Sequence, residues 1–212
     1  MEKHIVKILD TGKVTHNVKR FTVEKPKGYL YIPGQATDIS INEPGFEDNL
    51  HPFTFTSLTH DDTLEFTIKI YQGVTKKMDG LNVGDTLILH EVFGAINYAG
   101  PGVFIAGGAG VTPFIAILRQ LKEEGSIGQN YLLFANHSRK DIILEDEFTE
   151  MLGDHFINLI SAEGNRIDET ILKQYVQNGR KYYVCGPDEF TAKMVETLKQ
   201  LGAPADDIVT EQ

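Results

Sequence analysis

Three short stretches carry residue types that can do chemistry. The first is His51-Pro52-Phe53-Thr54-Phe55-Thr56-Ser57, which alternates hydroxyls and aromatic rings inside a run that otherwise reads as a buried strand. A hydroxyl both donates and accepts, and an aromatic ring offers a flat apolar face. The stretch therefore suits the packing of a strand or the edge of a planar ligand. Strict alternation puts His51, Phe53, Phe55 and Ser57 on one face and Pro52, Thr54 and Thr56 on the other. The second stretch, Gly107-Gly108-Ala109-Gly110-Val111-Thr112-Pro113, follows a predicted strand and opens a predicted helix. Glycines let a backbone approach a ligand closely, and the free N–H groups of a helix N-terminus suit a pyrophosphate. Pro113 fits the first turn, where its missing N–H costs nothing. A strand-to-helix turn with no ligand looks the same. The third stretch, Tyr183-Val184-Cys185-Gly186-Pro187, sets the single cysteine at the end of another apolar run.

The elements that must position these residues fall into two patterns. Before residue 100, short period-2 runs near 4–10, 17–24, 36–42, 53–58, 63–70 and 86–90 are separated by Gly, Pro and Asp turns, with a short helix over 75–80. Their spacing predicts a six-stranded antiparallel β-barrel. After residue 100, strands at 103–108, 131–136, 156–162, 181–186 and 207–212 alternate with helices at 113–125, 144–152, 168–179 and 188–202. Continuous apolar strands joined by helices imply a parallel sheet in an α/β unit. The expected division is 1–99 and 100–212, with Gly100-Pro101-Gly102 as the linker and Asp168 as a helix N-cap.

Composition excludes several function classes. The chain has 212 residues, 41% of them hydrophobic, and a formal net charge of -10. An acidic chain is a poor partner for nucleic acid or an anionic membrane. One thiol cannot build a disulfide framework, a zinc knuckle or an iron–sulfur cluster within the chain, and it fits a reducing, cytoplasmic setting. The histidines show no metal-ligand spacing, so no metal is expected. No apolar run approaches the ~20 residues of a membrane span.

The glycine turn departs from the ordinary dinucleotide fingerprint. It reads GxGxxP, and Asn136, His137, Ser138 and Arg139 stand at the end of the following strand, where that fingerprint has an acid. Taken in order, however, Pro33-Gly34-Gln35, the stretch 51–57, Gly73-Val74-Thr75, the turn 107–114 and Val184-Cys185-Gly186-Pro187 resemble the motifs of the ferredoxin-NADP reductase-like flavoprotein reductases. The resemblance covers nearly the full length. His51-Pro52-Phe53-Thr54 replaces the common Arg-x-Tyr-Ser/Thr and is similar to the variant of NADPH oxidases and ferric reductases.

That resemblance implies a set of roles. His51 would lie near the flavin phosphate, with Lys76 or Lys77 supplying charge that a neutral His lacks; Pro52, in the same motif, would also border the cofactor, and Phe53 would pack on the flavin. Thr54 would hydrogen-bond its N5. Ile68, Lys69 and Ile70 would line the flavin edge, Ile68 and Ile70 through their backbone. Gly73, Val74 and Thr75 would meet the diphosphate, although this loop is one residue shorter than in the family and Thr75 also suits a plain helix N-cap. Gly108, Gly110, Thr112 and Pro113 would hold the nicotinamide dinucleotide, with Cys185, Gly186 and Pro187 against the nicotinamide and Glu211 as a proton relay. The cofactor would be FAD in preference to FMN, the reductant NADH or NADPH, and the acceptor a separate partner such as flavodoxin or ferredoxin. Ser161-Ala162-Glu163 stands where NADPH-preferring relatives carry Ser-Arg, which favours NADH, with Arg139 and Arg166 as the cations able to reverse that choice. The chain ends at Gln212 without the aromatic that shields the flavin in many relatives, which implies a more accessible ring. A free-flavin or ferric reductase, and an electron-transfer or regulatory nucleotide-binding subunit of a larger complex, are the alternatives.

Overall fold

A computed structural model describes residues 3–94 and 96–211. The reading attached to Gln212 lies outside the described residues. Strands β1 (His4–Thr15), β2 (Val18–Glu24), β3 (Ala36–Ile41), β4 (His51–Thr54), β5 (Thr63–Lys69) and β6 (Thr86–Phe93) form one antiparallel sheet in the order β4-β3-β6-β1-β2-β5. Period-2 burial on β5 puts Leu64, Phe66 and Ile68 into a core shared with Phe21, Val23, Leu87 and Leu89. The sheet curls until its two edges meet at a single bridge, Phe55 to Phe66, where Thr56 N–H donates to Glu65 O at 2.8 Å. A short helix, α1 (Val74–Asp79), follows β5.

β4 ends at Thr54, and the expected strand over 53–58 is corrected there. Phe55 N–H still reaches Gln35 O, but the next residue crosses to β5. Thr54, Phe55, Thr56 and Ser57 are consequently all buried, and strict alternation of faces fails. Phe55 stacks on Tyr31 with centroids 4.1 Å apart, which anchors the crossing. Pro52 is tolerated because β4 is an edge strand.

The second unit is a parallel sheet of β7 (Gly102–Gly107), β8 (Tyr131–Asn136), β9 (Phe156–Ile160), β10 (Lys181–Cys185) and β11 (Ile208–Thr210), in the order β11-β10-β7-β8-β9. Helices α2 (Thr112–Glu123), α3 (Glu145–Leu152), α4 (Glu169–Lys173) and α5 (Asp188–Gln200) cover it. Alternate strand residues face two cores: Phe104, Phe134, Tyr183 and Cys185 pack with α2 and α3, while Ile105, Leu133, Tyr182 and Val184 pack with α4 and α5. Asp168 caps α4 as expected, accepting from Ile171 N–H at 2.9 Å. The helix stops at Lys173, short of 179, because the Tyr182 hydroxyl bonds both Gln177 N–H and Gln177 O and holds that segment as a turn.

The segment before the expected linker packs into the core of the second unit. Ile96 is buried in the α2 core, and Tyr98 stacks on Tyr183. The Tyr183 hydroxyl accepts from Ala99 N–H and donates to Gly100 O. The same segment also meets the barrel, where Ile96 N–H donates to Gly34 O at 3.3 Å, so it bridges the two units just ahead of the expected linker. Among the described residues, no helix is long and apolar enough to cross a membrane, and no cluster of metal-ligating side chains is present.

Candidate functional site

A cavity of about 490 Å³ opens beside the barrel seam and is walled by both units. The barrel contributes His51, Pro52, Phe53, Thr54, Ile68 and Lys69; the second unit contributes Ala109, Thr112 and Glu211. Thr54 is 8% exposed, and its hydroxyl has no hydrogen-bond partner among the described residues. Phe53 and Thr54 line the same cavity even though successive strand residues point to opposite faces. The conflict disappears because β4 ends here and the chain is already turning across the seam.

The β5 edge presents a different backbone from the one expected. Ile70 N–H donates to Asn17 O at 2.8 Å, so ladder alternation turns the polar groups of Ile68 and Ile70 toward β2. Those of Thr67 and Lys69 are left on the unpaired edge. Ile70 lines a neighbouring cleft instead, which corrects its expected contact with the flavin edge. Lys69 has no salt-bridge partner among the described residues; its ammonium lies 5.6 Å from the Tyr71 ring centroid.

The neighbouring cleft, about 480 Å³, shares Tyr71 with the cavity and carries Lys13, His16, Lys19 and Lys76. In an acidic chain this is a local cationic surface that composition could not reveal. Lys76 pairs with Asp79 at 3.2 Å, whereas Lys77 is held by Glu43 at 2.7 Å, away from the cavity. At α1 the cap is Gly73, with φ 77°, so the reading of Thr75 as the cap is corrected. Thr75 sits inside the first turn, where its hydroxyl accepts Tyr71 N–H at 2.8 Å. The Val74 side chain packs against the barrel core.

On the second unit, Gly108–Val111 form one turn of 3₁₀ helix leading into α2. Gly108 has φ 54°, a conformation that suits glycine. Gly110 is required for a reason internal to the protein: a Cβ there would lie 2.4 Å from Cys185 O. The turns after β7 and β10 therefore touch backbone to backbone at the point where the strand order reverses. This is where open α/β sheets bind ligands. Thr112 donates to Ala109 O at 3.0 Å and faces the cavity, while Pro113 is buried beneath it.

Cys185 is 4% exposed, and its Sγ lies 3.6 Å from Glu211 Oε2. Burial, reinforced by the Glu211 carboxylate, holds the thiol pKa far above its ordinary value. Such a thiol stays neutral and is no nucleophile. A second cavity of about 320 Å³ sits at the C-terminal ends of the parallel strands, lined by Asn136, His137, Ser161, Arg166 and Pro187 among others. Asn136 is 6% exposed with both side-chain amide atoms unpartnered. Gly186 lies packed against Gly107 and Phe190.

These donors fit the two groups implied by the sequence. The unpartnered Thr54 hydroxyl and the free edge of β5 suit a polar, planar ring. The orphaned Asn136 amide and the two touching turns suit a dinucleotide. Sequence reasoning missed Thr67, Tyr71 and Phe93, which also line the first cavity; the position of Tyr71 just past the β5 run was the one available signal.

Comparison with known proteins agrees. Residues 3–90 match the FAD-binding domain family and residues 104–196 the oxidoreductase NAD-binding domain family. NADH-cytochrome b5 reductase 1 of Bos taurus is 31% identical over 192 residues, covering 73% of this chain and 62% of that protein. The propane 2-monooxygenase reductase component of Rhodococcus jostii is 28% identical, covering 89% and 57%. The chain thus spans about three fifths of the length of these relatives. A ferredoxin NADP+ reductase from Neisseria gonorrhoeae, solved with FAD and NADP, shares the fold at TM-score 0.81 and 19% identity, over 95% of this chain and 92% of that one.

Proposed function

The chain belongs to the ferredoxin-NADP reductase-like family of flavoprotein reductases, and on that premise we propose that it oxidises NADH and delivers the electrons, through FAD in the seam cavity, to a separate protein acceptor. The observation that carries the reading is the unpartnered Thr54 hydroxyl in a cavity walled by both units. A bound flavin supplies the one property no side chain here has, exchange of a hydride for single electrons.

The residues do the rest. Thr54 is assigned to the reactive edge of the ring, with Phe53 against its face. Thr67 and Lys69 offer the free N–H and C=O groups of β5, in place of Ile68 and Ile70. His51 and Pro52 border the phosphate end, where Gly73, Val74 and Thr75 begin α1. The cationic cleft beyond Tyr71 takes the second half of the dinucleotide, which favours FAD over FMN. On the other unit, Gly108, Gly110, Thr112 and Pro113 form the turn that receives the nicotinamide dinucleotide. Cys185 and Gly186 form the neutral wall beside it, and Pro187 borders the second cavity. Glu211, exposed and bordering the cavity, is assigned the transfer of a proton between cavity and solvent. The setting is cytoplasmic.

The preference for NADH rests on Arg139. Its Nε donates to Glu163 Oε1 at 2.7 Å and its Nη2 to Oε2 at 3.0 Å. A guanidinium held by a carboxylate is a poor receiver for a 2'-phosphate. The acceptor is a redox protein; flavodoxin and ferredoxin fit, as do the kinds of partner named for the two relatives. The test is to release and identify the bound flavin, then titrate the protein anaerobically with each nucleotide. Bound FAD bleached by NADH is expected. A protein that takes up no flavin overturns the reading and favours a regulatory module, and a tenfold preference for NADPH overturns the nucleotide choice alone.

A further inference from the structure

Arg119 lies on α2, its side chain 22% exposed, and it reaches into both units. On its own unit, Nη2 donates to Glu147 Oε2 at 2.9 Å, and Nε bonds the other oxygen of the same carboxylate. Toward the barrel, Nη1 donates to Thr56 O at 2.6 Å and to Glu65 Oε1 at 2.7 Å. Burial disfavours the charge, but hydrogen bonds to Glu147 and the charge of Glu65 more than offset it, so the guanidinium stays firmly protonated. A planar guanidinium holds one carboxylate through two parallel bonds and still has donors for a carbonyl and a second carboxylate; an ammonium, with three donors and no fork, cannot reproduce that bidentate set.

Both ends of this arrangement lead to the cavity. Thr112, at the start of α2, lines the cavity. Seven residues separate it from Arg119, two turns and about 10 Å of rise, so the two share a helix face. On the barrel side Glu65 Oε1 also accepts the Thr56 hydroxyl at 2.9 Å, and Thr56 Oγ1 lies 3.4 Å from Thr67 Oγ1, another cavity residue. Thr56 itself is two residues past Thr54. One guanidinium thus ties the helix that begins at Thr112 to the strand crossing that begins at Thr54.

We propose that Arg119 is a positioning residue that sets the spacing between the nucleotide turn and the flavin-holding strand end. The proposal rests on the reading of the seam cavity as the flavin site. A misplacement of about 1 Å between reacting groups can cost roughly a hundredfold in rate. The pin therefore acts on hydride transfer and leaves flavin affinity alone.

The test compares wild type with Arg119→Lys and Glu65→Gln. For Arg119→Lys, flavin content and melting temperature should stay near wild type, while the first-order rate of flavin reduction at saturating NADH falls about tenfold to a hundredfold. Glu65→Gln should give a smaller drop in the same rate. Reoxidation of chemically reduced protein by ferricyanide should not change. In the flavin-free chain, hydrogen exchange at the amide of Thr56, which bonds Glu65 O, should speed up in Arg119→Lys. An unchanged reduction rate overturns the proposal, and so does loss of flavin or folding in both variants, which would make the pin architectural. Failure of wild type itself to bind flavin overturns the functional reading instead, so the two failures are distinguishable.

Discussion

The two halves of the proposed site are built by opposite means. In the parallel unit the cavity-facing groups are turns, and topology puts them there: β7 and β10 are neighbours, yet the chain leaves them toward opposite sides of the sheet. The crevice is closed by protein backbone, with Gly110 against Cys185. In the barrel the cavity-facing groups are strand residues left over where a ladder stops. The two edges of the sheet meet at one bridge, and beyond it Thr54, Thr67 and Lys69, paired on their other side with β3 or β2, have no strand opposite them across the seam. One site is a consequence of strand order, the other of an unfinished closure. The first should be sensitive to anything that alters packing. The second should tolerate loss of its functional group, because that group supports nothing else.

The sharpest way to break this contrast is Gly110→Ala. The new Cβ meets backbone atoms that cannot rotate away, so a cost of about 1–3 kcal/mol is expected, together with at least a tenfold slower reduction by NADH. Urea denaturation and stopped-flow absorbance measure the two; retained stability and rate would mean that the two turns do not need contact. Thr54→Ala is the barrel counterpart. It should slow flavin reduction about tenfold, as expected for one lost hydrogen bond of about 1–1.5 kcal/mol, yet move stability by no more than about 0.5 kcal/mol. A large loss of stability would show that Thr54 is structural and would erase the distinction.

Smaller effects refine it. Glu163→Gln frees Arg139 and should raise the NADPH/NADH ratio of kcat/KM by about threefold to tenfold; an unchanged ratio removes the pair from nucleotide choice. The smallest effect is in pH dependence. Burial lowers the pKa of His90 below its ordinary 6.5, assisted by Lys3 and opposed by Asp38 and Asp48. The unfolded chain therefore takes up this proton first, and stability falls as pH drops below about 6.5. For Cys185 the folded pKa is raised, so the unfolded chain loses its proton first and stability falls as pH rises past about 9. His90→Gln should flatten only the acid limb and Cys185→Ala only the stretch between about pH 9 and 10, below the ordinary tyrosine range. Flattening of the same limb by both would refute the assignment.

The sequence by itself determined the two units, nearly all of their strands, the glycine turn at a strand end and the single thiol at another. These follow from local periodicity and turn chemistry, which need only neighbours in the chain. It also singled out the stretch around Thr54, which the structure sets in the wall of the seam cavity, since hydroxyls and rings in a strand register as unusual without knowledge of what lies opposite. Its errors came where a distant partner wins. The alternation from His51 to Ser57 failed because Glu65 draws the chain across the seam, and α4 stopped early because the Tyr182 hydroxyl captures Gln177. The open edge of β5 carries the backbone groups of Thr67 and Lys69, not those of Ile68 and Ile70, because hydrogen-bond phase in a ladder is set by pairing with β2. Only tertiary structure decided that the Thr54 hydroxyl is unpartnered, that Cys185 meets Glu211 and that Arg119 joins both units. Each of those facts is a distance between residues far apart in sequence, and no local pattern encodes a distance.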